Sequence, residues 1–303
     1  PGVVPRRGRA RGRFVSSFAF LLHSERELAA ELGAELAVWL EERGHEIRFT
    51  DVDAKRLDRA DAGFADDEIA VGLDLMIGIG GDGTMLDAVR LACRSEAPVL
   101  GINVGQLGYL TSIEPKFEPA AGRTALKRFL AGGYIIEERM RIGAHIERSD
   151  GTVEATDAGL NEILLERAEL GHTIRIDVSL DGEPFTPYVA DGVMIATPTG
   201  STAYAFSARG PIVDPRHRAQ VLVPVSPHML FDRALVLAPD AVVRMTVAGG
   251  RPAHLSVDGH SGGTLEVGDA VVCTADPVPA RLVRFGPPSF QRVLKTKFGL
   301  PDR

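Results

Sequence analysis

Three short stretches of this chain combine residue types and spacings that can do chemistry. Gly80-Gly81-Asp82-Gly83-Thr84 sets one carboxylate among glycines. Glycine lacks the Cβ that keeps a backbone away from a ligand, so the stretch reads as a phosphate-binding loop. A carboxylate repels phosphate there unless it handles a proton or a metal ion. Asn161-Glu162 interrupts the apolar run of Leu160 and Ile163-Leu164-Leu165, either as a strand-end bulge or as a reader of a diol or a base. Thr197, Thr199, Ser201, Thr202, Tyr204 and Ser207 fall within eleven residues. They form either a hydroxyl-rich turn capping a helix or a wall of donors suited to ribose, amide and phosphate oxygens.

Particular elements must position these groups. Leu73, Leu75, Met76, Ile77 and Ile79 make the nearly continuous apolar run of a buried parallel strand. Thr84 and Asp87 then read as a capping-box pair, with Leu86, Val89 and Cys93 on one helical face. A helix N-terminus just after the glycines offers free N–H groups and a favourable dipole to anionic oxygens. Five Asp-Gly dipeptides occur in the chain, so an ordinary turn competes for Asp82. The strand, the extra glycines and the capping pair together favour chemistry.

The rest of the first half alternates strands and helices. A strand over 14–22 precedes a helix over 25–43 that Gly44 ends. Strands follow at 46–50, 73–79 and 98–104, and a helix at 124–131. Alternation of this kind predicts a doubly wound parallel sheet with ligands beyond the strand ends. A second glycine-rich loop, Asn103 to Tyr109, is expected to face the first across one crevice. From about residue 140 the texture becomes β. His172 to Leu180 alternates strictly before Asp181-Gly182, a hairpin signal, and short β runs recur at 193–197, 234–237, 242–247, 254–257 and 271–274. The expected fold class is an α/β, Rossmann-like N-terminal domain plus a β-rich, sandwich-like C-terminal domain. The expected division is a basic arm over 1–13, a nucleotide-binding domain over 14–139 completed by a C-terminal helix within 287–303, and a β-rich domain over 140–286.

Composition bounds the partners. At 303 residues and 45% hydrophobic content the chain can bury a sizeable core. Arg6, Arg7, Arg9, Arg11 and Arg13 crowd the start; without them the net charge moves from -7 to about −12, a poor surface for nucleic acid. The apolar run at 14–22 is too short to span a bilayer. His23 to Glu27 follows it without a small-residue cleavage site, which favours a strand over a signal peptide. Cys93 and Cys273 have neither ligand spacing nor a disulfide framework, as expected in a reducing cytoplasm. No zinc motif is present, and no metal-ligating residue is assigned.

Two decoys lose on context. Gly78-x-Gly80-x-x-Gly83 matches the dinucleotide fingerprint of dehydrogenases, yet that motif belongs at the first βα turn with an acid ending the next strand. Here it follows the third expected strand, and 98–104 contains no acid. Gly259-His260-Ser261-Gly262-Gly263 fits a hydrolase elbow, but the elbow needs a helix after its serine and 264–272 reads as β, so Ser261 is expected in a turn. Walker and protein-kinase loop signatures are absent.

In this order and spacing, Gly80-Gly81-Asp82-Gly83-Thr84, Asn161-Glu162 and Thr197-Pro198-Thr199-Gly200-Ser201-Thr202-Ala203-Tyr204 resemble the NAD kinase family, and the resemblance runs from the first strand to the last helix. The first motif is shared with diacylglycerol and sphingosine kinases; the third is far more specific. The resemblance implies transfer of a phosphoryl group from ATP, or in some members polyphosphate, to the 2′-hydroxyl of the adenosine ribose of NAD. NAD is implied to lie between the two domains, in a homodimer or homotetramer. It implies Asp82 as general base, with Gly80, Gly81, Gly83 and Thr84 on phosphate oxygens. Asn161 and Glu162 match a pair that contacts the acceptor's adenosine and ribose. Thr199, Thr202, Ala203, Tyr204 and Ser207 would line the dinucleotide pocket, and Asp191 matches an aspartate that can reach a partner's ligand. His172 and His260 fall where the family places variable polar contacts. His228 is read as a structural histidine burying a turn. Without a Walker lysine, Mg²⁺ on the ATP phosphates is the expected positive charge. A lipid kinase, an NAD-dependent dehydrogenase and a non-catalytic nucleotide sensor are the rival functions.

Overall fold

The computed structural model describes residues 15–105, 108–113, 119–169, 171–287 and 290–301. The basic arm, Gln106 and Leu107 of the second glycine-rich loop, and Ser289 at the start of the last expected helix lie outside the described residues. By internal contact the chain divides into two compact units, one running to Glu138 and resuming at Ala280, the other covering Arg139–Pro279.

The first unit is α/β. Its strands are β1 (Ser17–Leu22), β2 (Glu46–Thr50), β3 (Gly63–Phe64), β4 (Leu75–Gly80), β5 (Val99–Asn103), β6 (Ile135–Arg139) and a strand from the C-terminal segment, β19 (Ala280–Arg284). They form one sheet in the order β3-β2-β1-β4-β5-β19-β6. Pairing is parallel from β3 through β19. Helices α1 (Glu27–Glu41), α2 (Asp51–Arg56), α3 (Asp82–Ala92), α4 (Pro119–Leu130) and the terminal α6 (Phe290–Phe298) belong to this unit.

Alternation along the strands sorts the two faces. Phe18, Phe20 and Leu22 of β1 join Leu75, Ile77 and Ile79 of β4 in one buried cluster with Leu36 and Leu40 of α1 and Leu126 of α4. On the opposite face, glycines let α3 sit close: a Cβ on Gly78 or Gly101 would fall 3.0 or 2.6 Å from the Met85 sulfur. Strand order reverses at β1, which has β2 on one side and β4 on the other. Open α/β sheets bind ligands beyond the strand ends at such a switch point, and β4 ends there in Gly80.

Several boundaries differ from expectation. β1 starts at Ser17 rather than residue 14. The short α2 and the two-residue β3 carry too little periodicity to be read, so the strand delivering the glycines is the fourth in the chain. Ala280–Arg284, expected in the β-rich part, pairs parallel with β5 and belongs to the first unit; a run as short as Ala-Arg-Leu-Val-Arg does not reveal which sheet it will join.

The second unit is a β sandwich. One antiparallel sheet runs β11 (Glu183–Ala190), β10 (Ile174–Leu180), β15 (Val243–Ala248), β18 (Ala270–Ala275), β7 (Ile142–Glu147), β8 (Val153–Ala155). The other runs β14 (Leu235–Leu237), β13 (Gln220–Val225), β12 (Gly192–Ala196), β9 (Glu162–Arg167), β16 (Ala253–Val257), β17 (His260–Leu265). Both send side chains into one core, including Ile176, Met245 and Val271 from the first sheet and Ile163, Val193, Ile195 and Leu255 from the second. β12 is apolar at every position because its other face, Met194 and Ala196, packs on Ala205 of the single-turn helix α5 (Tyr204–Ser207). Asp181-Gly182 and Asp258-Gly259 make two-residue hairpin turns, all four residues at positive φ. Ser261 lies within β17 rather than in a turn, with no helix behind it. Among the described residues no helix is long and apolar enough to cross a membrane.

The tight α3 packing is testable. Gly101→Ala puts a methyl 2.6 Å from Met85 Sδ and 3.0 Å from the Thr111 Cα, an overpacking expected to cost about 1–3 kcal/mol. Urea unfolding should show a lower midpoint; an unchanged midpoint would mean that α3 shifts freely.

Candidate functional site

The glycine loop of the first unit forms without the expected capping box. The α3 N-cap is Gly81, extended at φ −103° and ψ −163°, and no side chain caps it. Thr84 therefore sits inside the first turn instead of before it. The reason is local: the Thr84 hydroxyl folds over Gly80, where a Cβ would be only 2.1 Å from Oγ1, so it is turned back toward the strand end. The first amides of α3 lack partners within the helix by construction. A Cβ on Gly81 or Gly83 would meet nothing within 4 Å; the fold itself does not demand these glycines, and they leave the backbone open to an anion.

Asp82 opens α3, and neighbouring backbone fixes both its carboxylate oxygens. Tyr109 N–H donates to Oδ2 at 3.0 Å and Leu110 N–H to Oδ1 at 3.0 Å. Gly108 is required there, because a Cβ would fall 2.5 Å from Asp82 Oδ1. The second glycine-rich loop thus grips the first, with Val104 N–H also donating to the Gly80 carbonyl at 3.3 Å. The two do not stand as opposite walls; β4 and β5 are adjacent parallel strands, so their loops emerge side by side. Arg284 of β19 supports this rim by donating to the Leu110 and Thr111 carbonyls at 3.0 Å while pairing with Glu137 at 2.7 Å.

One cation at this site is not legible in the sequence. Lys297 of α6 places Nζ 3.5 Å from Asp82 Oδ2 and 4.0 Å from the centroid of the Tyr109 ring. The two acidic and basic partners are 215 positions apart in the chain, so no local signal could have linked them.

In the second unit β12 empties into Thr197, and the hydroxyl run is largely occupied with building its own turn. Thr197 Oγ1 donates to the Leu160 carbonyl at 2.5 Å and accepts from Gly200 N–H at 3.0 Å. Ser201 Oγ donates to the Pro198 carbonyl at 2.7 Å and accepts from Val213 N–H at 3.0 Å. Thr199 Oγ1 accepts from Arg139 at 3.2 Å, and Thr202 Oγ1 donates to the Thr199 carbonyl at 3.3 Å. Tyr204 and Ser207 project to solvent, with Ala203 half-buried beside them. None of these hydroxyls caps α5.

Asn161 and Glu162 sit at the start of β9, one strand over from β12. Among the described residues nothing bonds the Asn161 carboxamide. Glu162 is only 9% exposed, and its Oε2 is buried without a hydrogen-bond partner. Burial, and secondarily the Asp258 carboxylate, push the Glu162 carboxyl up to about 8. The Asp258 carboxyl is also raised, by burial, against the pull of three backbone amides.

The remaining expected residues are scattered. Asp191 pairs within its own chain with Arg167 at 2.5 Å. His172 and His260 are exposed, at the approach to β10 and the start of β17. His228 does not bury a turn: it is exposed, and its backbone N–H donates to the Val189 carbonyl at 2.7 Å. Among the described residues no three His, Cys, Asp or Glu side chains converge as metal ligands.

Comparison with known proteins matches both units. Residues 18–134 fit the model of the ATP-NAD kinase N-terminal domain, and residues 160–285 that of the ATP-NAD kinase C-terminal domain. The NAD kinase of Heliobacterium modesticaldum is 37% identical over 279 residues, spanning 91% of this chain and 96% of that protein. In fold the chain is similar to a yeast NADH kinase complexed with NADH, at 24% identity and a TM-score of 0.86 over 95% of this chain and 89% of that one. It is also similar to an NAD kinase from Archaeoglobus fulgidus in complex with ATP, at 21% identity and a TM-score of 0.65 over 94% of this chain and 98% of that one.

The buried glutamate makes stability depend on pH. In the folded chain the Glu162 carboxyl is pushed up to about 8, above the ordinary 4.5 of a glutamate, so its stabilising share is complete below the unfolded value and is lost as pH rises through the folded one. Glu162→Gln removes that share. Urea midpoints of the variant should gain on wild type between pH 5 and pH 8, and parallel profiles would contradict the raised pKa.

Proposed function

The chain belongs to the ATP-NAD kinase family, and we propose that it transfers the γ-phosphoryl group of ATP to the 2′-hydroxyl of the adenosine ribose of NAD, forming NADP and ADP. The observation that carries this reading is Asp82: a carboxylate held by both oxygens at the mouth of an anion-binding helix, in a chain that fits both ATP-NAD kinase domain models.

Phosphoryl transfer asks a protein for alignment and charge neutralisation more than covalent chemistry. Gly80, Gly81, Gly83 and Thr84, with the open amides of α3, hold donor phosphate oxygens. Asp82 accepts the proton of the acceptor hydroxyl as its oxygen bonds to γ-phosphorus and the bridge to the β-phosphate breaks. The amides of Tyr109 and Leu110 hold the carboxylate in place for this. Lys297 supplies positive charge beside Asp82, the part a Walker lysine plays in other phosphate loops. Mg²⁺ would accompany the donor as MgATP and supply positive charge to its phosphate oxygens.

On the acceptor side, Asn161 and Glu162 offer polar atoms that the fold leaves unbonded, and they read the adenosine and its ribose. Thr199, Thr202, Ala203, Tyr204 and Ser207 line the dinucleotide site, and Asp191, His172 and His260 add polar contacts at its margin. The unit that runs to Glu138 and resumes at Ala280 serves as the nucleotide-binding domain, and Arg139–Pro279 as the NAD-binding domain. A cytoplasmic homodimer or homotetramer accompanies this reading.

One assay separates the rivals: ATP and NAD are supplied, and NADP is read with a specific dehydrogenase. A lipid kinase leaves NAD untouched, a dehydrogenase changes the nicotinamide band without ATP, and a sensor binds NAD without forming NADP. Asp82→Asn should fold and bind NAD but lose about 10²- to 10⁴-fold in turnover; full activity in this variant would overturn the assignment. Lys297→Met should lower kcat by about tenfold or more with KM for NAD unchanged, and a wild-type kcat would remove Lys297 from the machinery.

A further inference from the structure

Asp258 belongs to none of the sequence motifs that carry the function; it occupies one of the five Asp-Gly dipeptides and forms the hairpin turn between β16 and β17. Its carboxylate nevertheless lies behind the Asn161–Glu162 pair. Three consecutive amides converge on it: Leu160 N–H donates to Oδ2 at 2.6 Å, Asn161 N–H to Oδ1 at 2.7 Å and Glu162 N–H to Oδ1 at 3.0 Å. Successive amides pointing at one centre make an anion-binding nest. Here the anion is built in, and the Asp258 N–H returns a bond to the Glu162 carbonyl at 3.1 Å.

We propose that Asp258 is the positioning residue of the acceptor reader, holding 160–162 as a preformed cradle from which Asn161 and Glu162 meet NAD; this rests on the reading of that pair as acceptor-binding. The carbonyl side of the same segment is gripped by Thr197, whose Oγ1 donates to the Leu160 carbonyl and whose N–H donates to the Asn161 carbonyl at 2.8 Å. Backbone packs against it without room to spare. A Cβ on Gly159 would fall 2.9 Å from the Glu162 carbonyl oxygen, and one on Gly200 2.0 Å from that of Asn161.

With its main-chain groups committed, the segment cannot rotate to bond its own side chains. Among the described residues the Asn161 carboxamide and the buried Glu162 Oε2 have no bonding partner and are therefore left for a ligand. Burying a charge is costly unless it is hydrogen-bonded, and three amides meet that requirement for Asp258. Such preorganisation lowers the ordering cost of binding, so its loss should appear in acceptor affinity.

The test uses the whole chain in steady state, varying NAD and MgATP separately. Asp258→Asn keeps the size of the side chain and removes one charged acceptor. KM for NAD should rise about tenfold or more, with kcat and KM for ATP within about twofold, the pattern of lost uniform binding. A double-mutant cycle with Asn161→Ala supplies the readout a merely structural role would not move. If Asp258 acts through Asn161, the double variant should bind NAD little worse than either single variant. Additive losses, or an unchanged KM for NAD, overturn the proposal. Should Asp258→Asn lose its cooperative melting transition, Thr197→Val releases the carbonyl side of the same segment and is put through the same cycle, with the same two outcomes deciding. Wild-type protein that makes no NADP from ATP and NAD overturns the functional reading itself, a result distinct from an active enzyme with an additive cycle.

Discussion

The fixing of one carboxylate by backbone amides of the next loop is the constraint on which the first unit's site depends. Asp82 would be free to turn on the first residue of α3 were it not held by Tyr109 N–H and Leu110 N–H. Those amides are in place because β5 lies parallel and adjacent to β4, and because Arg284 holds the carbonyls of Leu110 and Thr111 from β19. The C-terminal segment thus returns to the first sheet to brace a loop assembled from residues far earlier in the chain. Lys297 adds a cation from the helix that follows.

The same device recurs. Asp53 accepts Leu22 N–H at 3.0 Å where β1 ends, and Asp258 takes the amides of 160–162 where β9 begins. A short, rigid carboxylate is suited to this because charge-assisted hydrogen bonds to amides are stronger than neutral ones and the side chain has few rotamers to lose. Each of these aspartates supplies acceptors for N–H groups that have run out of strand or helix partners, the groups a fold must satisfy wherever a loop is partly buried. Strand ends thereby become definite loop shapes, a precondition for holding phosphate or ribose at fixed distances.

Elements whose pattern is local were legible in the sequence. β4 was visible as an apolar run because it is covered on both faces, and β10 as an alternation because Ile174, Ile176 and Val178 are buried while Arg175 and Asp177 are exposed. Gly44 and Asp181-Gly182 were readable as a terminator and a turn, since positive φ selects for glycine and aspartate. The capping box at Thr84 was a plausible local pattern that lost to a steric fact, the close seating of its hydroxyl over Gly80. The hydroxyl run after β12 was visible as a cluster, but composition does not say which hydroxyls bond inward, and most of them do.

The sequence by itself determined the two-part architecture, the glycine loop with its single carboxylate, the Asn161-Glu162 interruption and, through three motifs in order, the family. Each of these is written in contiguous residues, where spacing and side-chain type act over a few ångströms of chain. Only the tertiary structure decided which groups finish the site. Asp258 reaches residues 160–162 across 96 to 98 positions, Arg284 reaches Leu110 across 174, and Lys297 reaches Asp82 across 215. Partners so far apart leave no periodicity or motif to read; they meet because sheet order, hairpin closure and the return of the C-terminal strand bring them within hydrogen-bonding distance.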